Sequence, residues 1–267
     1  MPDRTPEEIW TESLDEGERR LGRRWSALMA TGFAGGADVM LGLVAVIVAT
    51  AGLSKAMPGP TAHVLASLLF GLAFVFITLG RAELFTENFL IPVGAVFARR
   101  APASTLLRMW VTTLVLNFVG LAVLAGLASV KGVLPPGSLH AAGVITNTLS
   151  DRSFIAALFS AIIAGIVMTV FTWVTSATES ATARILTALL VGFLLLAPSL
   201  NHAVVGFGEM FVGLISGTTH AGWIDLVRNI SIAILGNLIG GVGLVFTTRL
   251  AQVSGDPSSG SGGQRDR

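Results

Sequence analysis

Six long apolar segments, at about residues 27–52, 61–97, 104–130, 153–175, 184–217 and 224–249, follow one another with only short polar stretches between them. A hydrocarbon core of about 30 Å takes about 20 helical residues to cross, so every segment is long enough to span a bilayer. Charged residues make up 12% of the chain and hydrophobic residues 52%, against about 25% charged in soluble domains. A soluble enzyme domain is thereby excluded. The 31 glycines fit a bundle of transmembrane helices, where Gly is commoner than in soluble ones. Cysteine is absent, which removes disulfides, iron–sulfur clusters and thiolate metal sites, and a net charge of +1 gives no case for nucleic acid.

The second and fifth segments are too long for one straight span. As unbroken helix, the roughly 37 residues of the second would run to about 55 Å. Both carry polar interruptions: Arg81, Glu83, Thr86, Glu87 and Asn88 in one, Pro198, Asn201, His202 and Glu209 in the other. They must bend back, protrude, or be broken near the midplane. A break is favoured by an internal repeat, because the anomaly falls on the second helix of each half. Arg108, Asn117 and Gly120 also have the spacing of Arg228, Asn237 and Gly240. Three helices per repeat is an odd number, so the halves must be inverted. The fold expected is therefore an all-α polytopic protein of two inverted three-helix repeats with broken second and fifth helices, a pattern that points to a transport pathway.

Residues 1–26 carry acids first and then Arg19, Arg20, Arg23 and Arg24, with Trp10, Leu14, Leu21 and Trp25 at helical spacing. This reads as an amphipathic helix on the membrane surface, the alternative being a disordered tail. Residues 27–250 form the transmembrane domain, and the Gly/Ser-rich 251–267 read as a disordered tail. With the N-terminus inside, the cytoplasmic flanks hold those four arginines with Arg99, Arg100, Arg108, Arg184 and Arg249, against Lys55, Lys131, Arg152 and Arg228 outside. The positive-inside rule then puts both termini in the cytoplasm.

Ionisable groups at the bilayer centre cost about 2.5–3.5 kcal/mol on insertion scales and need partners or water. The candidates are Asp38, Arg81, Glu83, Glu87, His202 and Glu209. Arg81 and Glu83 read either as a pair fixing the break or as substrate contacts. Asp38 reads first as a hydrogen bond to a neighbouring helix, and Gly32 and Gly36 as close-packing positions. His202 follows Pro198 and Asn201 at the fifth-segment interruption, and its ordinary pKa of about 6.5 suits proton exchange. His63, His140 and His220 fall near loops or span ends and suggest nothing.

With the Gly-rich first span GFAGGADVMLG, the motif ELFTEN from Glu83 to Asn88, the NFVG and NLIGG motifs and the lone His202 in this order on six spans, the chain resembles the formate/nitrite transporter family over about residues 20–250. The resemblance implies an aquaporin-like protomer, a homopentamer with a pore in each protomer, small monovalent anions as cargo, and no cofactor, metal or enzymatic activity. It puts Leu84, Phe85 and Thr86 in the loop of the second segment, Leu84 narrowing the pore and the Thr86 hydroxyl close to His202. Asn201 stands where several members have Glu. The usual Lys before the fourth helix is missing, with only Arg152 slightly later, and Glu87 and Glu209 add carboxylates, which marks a divergent branch.

The mechanism expected is that a weak-acid anion takes a proton from solvent or His202, crosses as the neutral acid and releases the proton beyond. Thr86 and Asn201 would orient substrate and imidazole. Partners are thus the anion or acid, protons and the lipid bilayer of the inner membrane. The alternatives are the same fold conducting a neutral solute or a cation, and a structural or sensory membrane protein. An intramembrane enzyme lacks any HExxH, GxSxG or Cys nucleophile.

Overall fold

The computed structural model describes residues 4–255, so the tail expected from residue 251 lies, from 256 on, outside the described residues. Ten helices and no strand are found among those described. They are α1 Pro6–Leu21, α2 Trp25–Leu53, α3 Gly59–Gly80, α4 Phe85–Phe97, α5 Ala103–Ala128, α6 Ser138–Ser150, α7 Phe154–Ser176, α8 Ala181–Leu196, α9 Ala203–Ser216 and α10 Trp223–Ser254. Of these, α2, α3, α5, α7 and α10 are long and apolar enough to cross a membrane. The second apolar segment is shared between α3 and α4, and the fifth between α8 and α9.

Within lipid, helices are held together by close packing more than by a hydrophobic drive, and glycine sets how closely two backbones meet. A Cβ on Gly36 would lie 2.0 Å from the Asn117 carbonyl oxygen, and one on Gly120 2.1 Å from that of Phe33, so α2 and α5 touch backbone to backbone. The pair α7 and α10 is built alike: a Cβ on Gly165 would lie 2.3 Å from the Asn237 oxygen, and one on Gly240 2.0 Å from that of Ile162. Gly32 is looser, 3.1 Å from the Leu116 Cβ. Between these pairs α3 packs on α8, where Gly71 and Gly192 face one another. Phe74 meets Phe171 edge-on at 5.4 Å in the common core.

Helix α6 falls where the sequence reading had only a connection. It is too short and too polar to register as a span, and its seat on α9 is made by tertiary contacts. A Cβ on Gly143 would meet the Thr218 oxygen at 2.0 Å, and one on Gly213 the Thr146 hydroxyl at 2.1 Å.

Helix α1 is set by local chemistry. Thr5 and Glu8 form a reciprocal capping box, Pro6 opens the first turn, and acids at the start and arginines at the end complement the helix dipole. Ile9, Leu14 and Leu21 are buried, and Gly17 lets α1 lie on α4, where its Cβ would be 2.5 Å from the Ile91 oxygen. Glu16 accepts from Arg19 and Arg20, each at 2.7 Å. Burial alone would raise its pKa, but the Arg20 and Arg19 charges prevail and hold it below the ordinary 4.5. Its contribution to the stability of α1 is therefore complete above that ordinary value and is lost as the pH falls through the lowered one. Protection of the Pro6–Leu21 amides, relative to the intrinsic exchange rate at each pH, should fall below pH 4.5 and be unchanged between about pH 6 and 8.

Candidate functional site

Two short irregular turns, residues 81–84 after α3 and 197–202 after α8, carry Arg81 and Glu83 and Pro198, Asn201 and His202, while Thr86, Glu87 and Asn88 open α4 and Glu209 lies in α9. Both turns are built with the same hydrogen bonds. Arg81 and Ser199 are both left-handed, with φ of 59° and 51°. That conformation costs non-glycine residues of order 1–3 kcal/mol and persists only where the surroundings over-determine it. After each, an N–H reaches back to the helix end: Ala82 to the Ile77 oxygen at 3.1 Å, Leu200 to that of Leu195 at 3.0 Å. The next N–H is taken by a neighbouring helix, Glu83 donating to the Thr31 carbonyl at 3.2 Å and Asn201 to the Ser160 hydroxyl at 3.0 Å.

One asparagine then closes each turn. Asn117 accepts from the Phe85 N–H at 3.0 Å and donates to the Gly32 and Glu83 carbonyls at 2.7 and 2.9 Å. Asn237 accepts from the Ala203 N–H at 2.9 Å and donates to the Ala161 and Asn201 carbonyls at 2.8 and 3.1 Å. The spacing that matched Asn117 with Asn237 and Gly120 with Gly240 thus corresponds to matching contacts: each asparagine clamps a turn, and each glycine seats its helix.

Where the turns meet, the Thr86 hydroxyl and His202 Nε2 are 2.7 Å apart, both residues fully buried. His202 is also the N-cap of α9, its Nδ1 accepting from the Val205 N–H at 3.1 Å. An Nδ1 that accepts carries no proton, so the neutral ring holds its proton on Nε2 and donates it to Thr86. The Thr86 hydroxyl hydrogen is left to donate elsewhere. Leu84 and Phe85 flank Thr86 and are buried, Phe85 meeting Phe89 edge-on at 4.9 Å.

The remaining charges are distributed differently from the expectation. Glu83 is paired with Arg23 at 2.6 Å and with Arg20 at 3.7 Å, both from the α1 end of the chain, and not with Arg81. Arg81 is exposed, at the left-handed end of α3, and makes no ion pair among the described residues. Asn201 does not orient the imidazole. Its Oδ1 accepts from Asn229 at 3.0 Å and its Nδ2 donates to the Ala157 carbonyl at 3.3 Å, turning the amide toward α7 and α10. Glu209 is buried on α9, one carboxylate oxygen without a hydrogen-bond partner. Asp38 is half-buried and has no ion pair among the described residues. No three His, Asp or Glu side chains among the described residues gather as metal ligands.

Beside the first turn lies a cavity of about 600 Å³, lined among others by Arg20, Arg23, Arg81, Glu83, Glu87 and Phe171. In the sequence Arg20 and Arg23 mark a surface helix and its orientation; two bases three residues apart just before a span are the available sign of their second use. His63, given no role from sequence, reaches the Leu196 carbonyl and the Ser199 hydroxyl, each at 3.1 Å. It thereby pins the second turn from α3.

Known proteins share this architecture. The Formate/nitrite transporter family profile matches residues 7–251. The formate channel BtFdhC of Bacillus thuringiensis is 27% identical over 246 residues, covering 90% of this chain and 92% of that protein. Among solved structures, an FNT family ion channel superposes with a TM-score of 0.78 at 18% identity, over 91% of this chain and 98% of the other. A pentameric formate channel with formate bound superposes at 0.70 and 18% identity, over 85% and 96%. With the family match running from α1 to the last turns of α10, the chain is a multi-pass membrane protein belonging to the formate/nitrite transporter family.

Proposed function

We propose that this chain is a channel for small monovalent weak-acid anions of the formate or nitrite kind, carried together with a proton. The observation that carries the reading is the buried Thr86–His202 contact at 2.7 Å. It leaves one hydroxyl hydrogen free to donate at the meeting point of two irregular turns, the arrangement an anion or its conjugate acid would use as a way-station between apolar walls. A bare anion faces a Born penalty of order 20 kcal/mol at a dielectric constant near 4. Protonating an acid of pKa near 4 at neutral pH costs only about 4 kcal/mol. The neutral acid is therefore the form that crosses Leu84 and Phe85. Because His202 Nδ1 is occupied by the Val205 N–H, the ring serves as a fixed donor through Thr86, and the transported proton comes from the aqueous side.

The matched hydrogen bonds of the two turns support reading α2 to α5 and α7 to α10 as two inverted three-helix repeats with broken second and fifth spans. On this reading α1 lies on the cytoplasmic surface, residues 27–250 form the channel domain, and both termini are cytoplasmic. The assembly is a homopentamer in the inner membrane, each protomer with its own pathway. The Glu83 and Glu87 carboxylates on the cavity wall favour a neutral solute or a cation as the second reading. A proteoliposome flux screen of formate, nitrite, acetate and hydrosulfide with neutral and cation controls at two pH values separates them. Weak-acid flux that outpaces both controls and rises at the lower pH is expected. Faster passage of either control, or flux indifferent to pH, would sink the weak-acid reading.

A further inference from the structure

Glu87 is the carboxylate that the ion-pair pattern leaves over. It sits beside Thr86 in the tight turn Phe85–Phe89, half-buried, with its side chain on the wall of the 600 Å³ cavity. The cations nearest it are already engaged. Arg20 bonds Glu16 at 2.7 Å and approaches Glu83 at 3.7 Å, and Arg23 pairs with Glu83 at 2.6 Å. No Lys, Arg or His nitrogen lies within 4 Å of Glu87 among the described residues. The same cavity is also lined by Arg81 and Glu83, by Glu12, Glu16 and Arg19 of α1, by Arg4 paired with Glu12 and Glu179, and by Arg184, while His202 at the N-cap of α9 is committed to Thr86 and Val205. Helix α7 carries no charge at all, and Arg108 of α5 is spent on the Leu21 and Arg23 carbonyls. Glu87 therefore lines the charged cavity and is the chain neighbour of the fully buried Thr86.

We propose that Glu87 is the proton-transfer group of the mouth beneath α1, an assignment that rests on the weak-acid reading above. Ionised Glu87, without an ion-pair partner among the described residues, repels an arriving anion. As the neutral acid it both admits the anion and supplies what the anion needs to go further. The Glu87 O–H bond breaks as an O–H bond forms on the anion, leaving a Glu87 carboxylate and a neutral weak acid that moves on to Thr86. The carboxylate then takes a proton from the aqueous medium through the cavity, and the cycle runs backwards for transport in the other direction. No redox change occurs, and charge balances at one proton per anion.

The test is formate flux into vesicles whose α1 face meets the medium, their orientation established by protease cleavage of an N-terminal tag, with medium pH varied and the opposite face held constant. Wild-type flux should level off on acidification, because a saturable internal donor sets it. Glu87→Gln should lose about tenfold or more near neutral pH, the loss of a general acid. Its flux should then climb about tenfold per pH unit, since only acid protonated in bulk water remains. Glu87→Asp should keep the levelling profile. A Gln variant with the wild-type profile overturns the assignment, as do Gln and Asp variants that fold, by gel filtration, yet are inactive at every pH. A wild-type chain that carries no weak acid at all overturns the reading beneath the assignment, a result distinct from a normal wild type with an unchanged Gln variant.

Discussion

Replacing Asn237 with leucine is expected to lower stability by about 2–4 kcal/mol, because it strips two buried backbone groups of their partner at a cost of about 1–3 kcal/mol each and takes a second bond from the Ala161 carbonyl, partly offset by the apolar side chain. The Ala203 N–H and the Ala161 and Asn201 carbonyls have no other hydrogen bond from a side chain, and Asn237 is fully buried. In hydrocarbon no water can replace what is lost. Asn117→Leu removes the same three kinds of bond and should cost a similar amount. Asn→Asp at either position keeps the acceptor for the helix N–H but loses both donors, so it should also be damaging. Thermal unfolding of the detergent-solubilised protein measures this. A loss under about 1 kcal/mol for both leucine variants would mean that the turns are held by packing and not by these amides.

The two asparagines were legible in the sequence because one side chain at each turn does a job that no neighbour can share, so its spacing from a helix-seating glycine repeats. Asn117 with Gly120 and Asn237 with Gly240 follow this logic, and so does the lone His202. What joins distant parts of the chain was not legible. Nothing in the spacing of Arg20 and Arg23 says that they reach Glu83, because that contact depends on how α1 lies on α4 through Gly17. Asn201 was misread for the same reason. Adjacent to His202 along the chain, its side chain leaves the turn on the opposite side and finds Asn229. Left-handed Arg81 and Ser199 carry no mark at all, since neither is the glycine or asparagine that usually announces such a turn. Helix α6 escaped because its buried face, Ser138, Ala141, Ala142, Ile145, Thr146 and Leu149, has helical spacing but is made mostly of small and polar residues over a length too short to span a bilayer.

His202→Phe is expected to reduce weak-acid flux by about 100-fold or more, because it removes the buried hydrogen bond, of about 1–3 kcal/mol, that fixes the Thr86 donor, while costing only about 1 kcal/mol of stability for the lost N-cap. The two effects come from different ring nitrogens and can therefore be separated. Nδ1 caps α9 through the Val205 N–H, and Nε2 holds the Thr86 hydroxyl at 2.7 Å. His202→Asn supplies a good capping oxygen but is too short to reach Thr86, so it should recover most of the stability and little of the flux. Thr86→Ser keeps the hydroxyl and should transport; Thr86→Val keeps the shape, loses the free donor, and should fall as His202→Phe does. If the pathway uses the pair as a unit, the double variant Thr86→Val with His202→Phe is hardly worse than either single one. Flux of formate in proteoliposomes at two pH values, read beside thermal unfolding of the same preparations, makes the comparison. Intact proton-linked flux in His202→Phe would show that the pathway does not need the ring. Loss of flux in His202→Asn together with normal flux in Thr86→Val would show that the imidazole acts without the hydroxyl, and the hydrogen that Thr86 has to spare would have no part in guiding the acid.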